Sequence, residues 1–277
     1  MLEVLLAFWM SFVILSLAIV AYDIHKMPID GAQKIGWILV TAYTGIIGLF
    51  FYYCTCRIPS AKKQREYSAK DWKQAVNSEA HCLAGNATGI IIAAMILSFV
   101  ELGNGTALLI EYLSAFVFGW VIFQAGMIKN VYNNYLDALK NTFFAEAVSM
   151  NFVMIGMIPV MLVLMHHLEF GRDPAHIAFW FSMGIATTAG GLTAYPINYW
   201  LVITKLKHSR ITKPDLELLP EPEQKKLQKI PMLEQVMQHP ETMLKLSFKN
   251  QAYFIGLTLI ALIMVIIITV FFIPIRF

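Results

Sequence analysis

Three places in this sequence put ionisable or soft side chains inside strongly apolar stretches. The first is His81-Cys82 in SEAHCLAGNATG. An imidazole beside a thiol offers two ligands for zinc or copper. The same pair also reads as an interfacial histidine reaching for water next to a core cysteine. On a helix, His81, Gly85 and Gly89 share one face, and Cys82 and Asn86 lie on the adjoining stripe. The two glycines let another helix backbone come close.

The second place is Glu146 in NTFFAEAVSMNFVMIGMIPVMLVLMHH. Met150, Met154, Met157, Met161 and Met165 follow it at helical spacing, all within about 100° of the Glu146 direction. That makes one stripe with a carboxylate at its foot and His166-His167 at its head. Thioethers suit Cu(I). Methionine also fills irregular gaps between packed helices, and the chain has 15 of them. The third place is TAYPINYW at 193–200. Pro196 removes one helical hydrogen bond, and Tyr195 and Asn198 can donate into the gap. Tyr195, Tyr199 and Trp200 equally fit an aromatic belt at a membrane surface.

The elements that position these residues must be membrane helices. Of 277 residues, 58 % are hydrophobic and 14 % charged, with mean hydropathy +0.61. Soluble domains run near 45–50 % apolar and about 25 % charged, so a soluble enzyme is excluded, as is intrinsic disorder. A net charge of +3 does not call for a nucleic acid. Three cysteines, all in or beside apolar segments, do not make a disulfide framework. Seven stretches are long enough to span: 2–22, 35–56, 79–101, 107–128, 143–165, 176–204 and 252–274. Each must satisfy its backbone internally, so the fold expected is an all-α polytopic transmembrane bundle of about seven helices. The first stretch has Glu3 and no basic residue before its apolar run, and reads as a retained helix rather than a signal peptide.

Short-loop Lys and Arg orient the bundle. At least twelve lie after the second, fourth and sixth stretches, against Lys26, Lys34, Arg172 and Arg276 on the other side. With seven crossings this puts the N-terminus in the cytoplasm and the C-terminus outside. His81-Cys82, Glu146 and Tyr195-Asn198 then share the cytoplasmic third of the bilayer. Asp23, His25 and Met27 join His166, His167 and His176 on the far side, where Asp23 is also a candidate partner for Arg172. Residues 1–208 form a six-helix core, 209–251 a polar, proline-punctuated cytoplasmic linker with short surface helices, and 252–277 an additional helix without a polar group at its centre. Without strands, the chain has no place for a nucleotide-binding glycine loop, and it shows neither a zinc-protease motif nor a serine triad.

Five blocks in order resemble the domain-of-unknown-function family DUF4396: AYDIHKM…IGWILVTAYTGIIGLFFYY, WKQAVNSEAHCLAGNATG, IEYLSAFVFGWVIFQAG, ALKNTFFAEAVSM and FWFSMGIATTAGGLTAYPINYWLV. They cover about residues 10–208. The resemblance implies a polytopic membrane protein, and some members look fused to or named with copper-oxidase proteins. It implies no mechanism. The family block reads H-C-x-x-G-C, and here Asn86 stands at the second cysteine; Glu146 stands where the family usually has Asp.

The expectation that results is an integral protein of a bacterial inner membrane that transports or handles a soft metal ion such as Cu(I), with no catalytic residues assigned. His81, Cys82, Glu146, Met150 and Met154 are the expected ligands, and Asn86, Met157, Tyr195 and Asn198 line the pocket. A copper ion is the only cofactor or cargo suggested. The lipid bilayer is the expected partner, and nucleic acid is not. The alternative is a scaffold that binds a protein partner through 209–251.

Overall fold

The computed structural model describes residues 2–27, 29, 31–57, 70–100, 102–125, 134–207 and 246–273. These are all helical or connecting: α1 (Leu2–Ile24), α2 (Gly31–Thr44), α3 (Ile46–Thr55), α4 (Asp71–Leu97), α5 (Asn104–Val117) with a π-helical continuation (Phe118–Ala125), α6 (Tyr135–His167), α7 (Ile177–Ile203) and α8 (Phe248–Phe272). Local chemistry starts several of them. The Asn134 side chain accepts from the Asp137 N–H to begin α6, His176 accepts from the Ala178 N–H at α7, and Ser247 accepts from the Asn250 N–H at α8. Pro159 and Pro196 lie inside α6 and α7, as in many membrane helices.

Six helices are long and apolar enough to cross a membrane: α1, α4, α5 with its π-helical continuation, α6, α7 and α8. The expected span over 35–56 is instead two shorter helices broken at Gly45, which has φ 59°. They fold back on each other. The Trp37 and Tyr52 rings meet edge to face at 5.9 Å. Asn77 on α4 accepts from Gln33 Nε2 at 3.2 Å and Trp37 Nε1 at 3.0 Å, and donates to the Thr55 carbonyl at 3.3 Å. Gln33 and Thr55 on one straight helix would stand about 33 Å apart. Gly45 is what permits the break, because only glycine takes that backbone conformation without strain. Its hydrogens face Val13, near the middle of α1. The pair is therefore a re-entrant hairpin, with its apex covered by protein as a backbone break at that depth requires.

This hairpin resets the topology. The end of α1, both feet of the hairpin and the start of α4 share one end of the bundle. Six crossings then put the start of α1 and the end of α8 at the same end, where seven would place them at opposite ends. Asp23 accordingly pairs with Arg57, Nε to Oδ2 at 3.0 Å, and not with Arg172. Asp23 and His25 also lie at the end opposite His166, His167 and His176, so the expected second ligand group is not assembled.

Small residues set the packing at the centre. A Cβ on Gly85 would fall 2.7 Å from the Gly119 Cα, and one on Gly89 would fall 2.7 Å from the Ala115 Cα. The face expected to admit a close helix does so, and α5 is that helix. Ser114 then donates across the contact to the Gly89 carbonyl at 2.8 Å. On α6 and α7, Gly156 and Gly190 give the same close approach, and Thr193 donates to the Phe152 carbonyl at 2.9 Å. Of their apolar stretches, α4 is 67 % buried and α6 61 %, against 17 % for α8. Thus α4 and α6 form the middle, and α8 lies at the apolar rim together with α5, whose stretch is 11 % buried. α8 is nevertheless tied inward: Asn151 donates to Thr258 Oγ1 at 2.8 Å and accepts from the Tyr112 hydroxyl at 2.9 Å.

Candidate functional site

Glu79, Cys82 and Asn86 recur at steps of three and four on α4, so they form one stripe. Cys82 lies eleven residues into α4, and Glu146 eleven residues into α6. Both sit about 16 Å along their helices from the same end of the bundle. Equal depth brings them together: the Cys82 thiol donates to Glu146 Oε2 at 3.1 Å. Ser149, one turn on from Glu146, donates to Asn198 Oδ1 on α7 at 2.9 Å.

A fifth side chain completes the group. α7 ends at Thr204 in a turn that reverses the chain. The Lys205 N–H bonds the Val202 carbonyl, and the Leu206 and Lys207 N–H groups both bond the Leu201 carbonyl. Lys205 takes the left-handed conformation, φ 56°, that such a cap needs. Leu206 is driven under the bundle edge against Leu201, Phe144 and Val148. Lys207 is thereby aimed back inside, and its side chain is fully buried. Its Nζ donates to Cys82 Sγ at 2.8 Å, Asn198 Oδ1 at 2.8 Å and Ser149 Oγ at 3.3 Å, and stands 3.9 Å from Glu146 Oε2. Three neutral acceptors use all three ammonium donors, and the carboxylate supplies the opposite charge.

The family model described as Domain of unknown function (DUF4396) aligns with residues 71–207. Those residues belong to the DUF4396 family. No curated protein and no solved structure matches the chain. The DUF4396 segment runs from the first residue of α4 to Lys207 itself and contains all five residues of the centre. The blocks in α1 and the hairpin, and helix α8, lie outside it.

Within the DUF4396 segment, the structure brings together Cys82, Glu146 and Asn198 of the expected site, and adds Ser149 and Lys207. His81 points elsewhere. One residue round the helix from Cys82, it packs on the hairpin, where a Cβ on Gly36 would fall 2.7 Å from its Nδ1. Among the described residues, no three His, Cys, Asp or Glu side chains are grouped to hold a metal ion. Tyr195 is half-buried and its ring faces Tyr199 at 6.2 Å. Asn86 is fully buried beside Glu146: a Cβ on Gly119, in the π-helical turn, would collide with Asn86 Oδ1 and come within 2.9 Å of Glu146 Oε1. The Asn86 side-chain amide, Glu146 Oε1 and Glu79 Oε1 have no hydrogen-bond partner among the described residues. π-Helical turns of this kind are frequent at functional sites.

Met150, Met154, Met157 and Met161 are all buried. Their stripe leads from Glu146 along α6 to a cavity of about 140 Å³ at the far end, lined by Met161, Met165, Glu111, Arg172 and Asn104. Lys207 is the residue that sequence reasoning missed. It reads there as one more basic residue flanking a helix. The available signal was Leu206, an apolar residue between two lysines directly after a helix end. Most of the 209–251 linker, with its expected partner site, lies outside the described residues.

Proposed function

We propose that the protein carries a monovalent cation through the bundle, and that its buried centre is the binding site. The supporting observation is the convergence of Cys82 Sγ, Ser149 Oγ, Asn198 Oδ1 and the Glu146 carboxylate on one buried cation, the chain's own Lys207 ammonium. An incoming cation takes those acceptors when Lys207 withdraws, so the buried carboxylate is never left uncompensated. A thiol in the set and a thioether stripe running to the far cavity favour a soft cargo, Cu(I). The measurement is Cu(I) retention by purified protein against a chromophoric chelator. Wild type is expected to hold about one ion and Cys82→Ser to hold none, the loss following from removal of the soft ligand. Lys207→Met is expected to bind more tightly, because the tethered competitor is gone. Absence of retained copper in both wild type and Lys207→Met overturns this reading.

We further propose the orientation. All of the 21 Lys and Arg residues except Arg172 and Arg276 belong to the end of the bundle that holds the hairpin feet, or to the segments connecting there. By the positive-inside rule that end faces the cytoplasm of a bacterial inner membrane. The start of α1 and the end of α8 then both face outward. An impermeant thiol reagent is expected to label a cysteine introduced before Leu2 on intact cells and to leave one introduced near Lys63 unlabelled. The reverse pattern overturns the orientation.

A further inference from the structure

The Lys207–Cys82 contact has a chemistry of its own, independent of any cargo. Nζ and Sγ stand 2.8 Å apart, close for a nitrogen–sulfur contact and near the span that one bridging oxygen atom requires. Both side chains are buried, and the Glu146 carboxylate accepts the thiol proton's hydrogen bond at 3.1 Å. We propose that this pair is a covalent modification site at which dioxygen links Lys207 to Cys82 through a single oxygen, as Nζ–O–Sγ.

The step balances with groups already in place. The Lys207 ammonium, the Cys82 thiol, the Glu146 carboxylate and one dioxygen give the N–O–S bridge, one water and a protonated Glu146. Nitrogen and sulfur each lose two electrons, and dioxygen accepts four. One N–H and the S–H bond are replaced by N–O and O–S bonds; one further ammonium proton leaves in the water with the thiol proton or passes to Glu146. No charge remains in the centre afterwards, so the buried ion pair is discharged rather than broken. Dioxygen is the oxidant that fits. It is small and apolar, and it enters bilayers and packed helices that exclude bulkier reagents. The bridged form has neither the free thiol nor the mobile ammonium, so it locks the centre shut until a thiol reductant reverses it.

The test uses the full chain in detergent, prepared once without oxygen and once in air. Each sample is denatured without reductant, alkylated and analysed by intact and peptide mass. The aerobic protein is expected to be heavier before alkylation by about 14 Da, one oxygen less two hydrogens, and to return to the unmodified mass with a thiol reductant. Cys82 is expected to resist alkylation in that sample alone, and a peptide joining Cys82 to Lys207 to appear. Lys207→Arg keeps the positive charge but lacks the amine, and is expected to leave Cys82 alkylatable in air; Cys82→Ser is expected to lose the mass increment. Cys82 fully alkylated in both preparations overturns the proposal. So does a Cys82 blocked by a disulfide to Cys54 or Cys56, or carrying oxygen without a link to Lys207.

Discussion

Two carboxylate–cation pairs among the described residues, Asp23–Arg57 and Glu146–Lys207, differ in one respect, their exposure to water. Asp23–Arg57 sits at the rim, with side-chain exposures of 12 % and 46 %, and Tyr52 donates to the same Asp23 oxygen at 3.0 Å. Glu146–Lys207 sits at the centre, with both side chains at 0 %. At the rim, water competes for both charges, so the pair mainly fixes where the hairpin foot meets α1. At the centre, nothing but the protein can satisfy either charge, and taking two ions out of water is costly. The inward lysine is therefore the costlier of the two cations to place, and it is the one on which the proposed site is built.

The largest expected effect comes from breaking the central pair. Glu146→Ala leaves Lys207 buried without its counter-charge and is expected to cost about 3–5 kcal/mol. Adding Lys207→Met should restore most of that loss, because the replacement is long, apolar and similar in shape. Thermal unfolding in detergent of the two single variants and the double variant reads the coupling. Additive losses would show that the two residues do not compensate each other, and the contrast with the rim would fall.

A smaller effect is expected at Asn77, which ties both feet of the hairpin to α4. Asn77→Ala removes these hydrogen bonds and leaves the buried Trp37 N–H without its acceptor, at a cost of about 1–3 kcal/mol. Hydrogen exchange over 31–56 should rise while exchange at 142–157 stays unchanged. Equal acceleration of both segments would mean that hairpin and centre unfold as one unit. The smallest effect belongs to the rim pair. Asp23→Asn keeps an acceptor for Tyr52 and removes only the charge, so it is expected to cost below about 1 kcal/mol. High salt should shrink that difference. A loss as large as that of Glu146→Ala, or one insensitive to salt, would erase the distinction between the two pairs.

Composition and hydropathy alone determined that the chain is an all-helical membrane bundle, because uninterrupted apolar runs leave the backbone no other way to satisfy itself in lipid. Helical spacing alone placed Met150, Met154 and Met157 on one face with Glu146, and Gly85 and Gly89 on a face open to another helix. Three features needed the tertiary structure. Residues 35–56 are as apolar as a span, and a single glycine at position 45 does not reveal a fold-back until Asn77 is seen to hold both feet. His81 and Cys82 are neighbours in sequence, but successive residues point about 100° apart on a helix, so one meets the hairpin and the other the centre. Lys207 has the composition of a solvated flank. Only the left-handed turn at Lys205 and the burial of Leu206 send it inward, and that is a contest between one residue's desolvation and its neighbours' packing that no local pattern records.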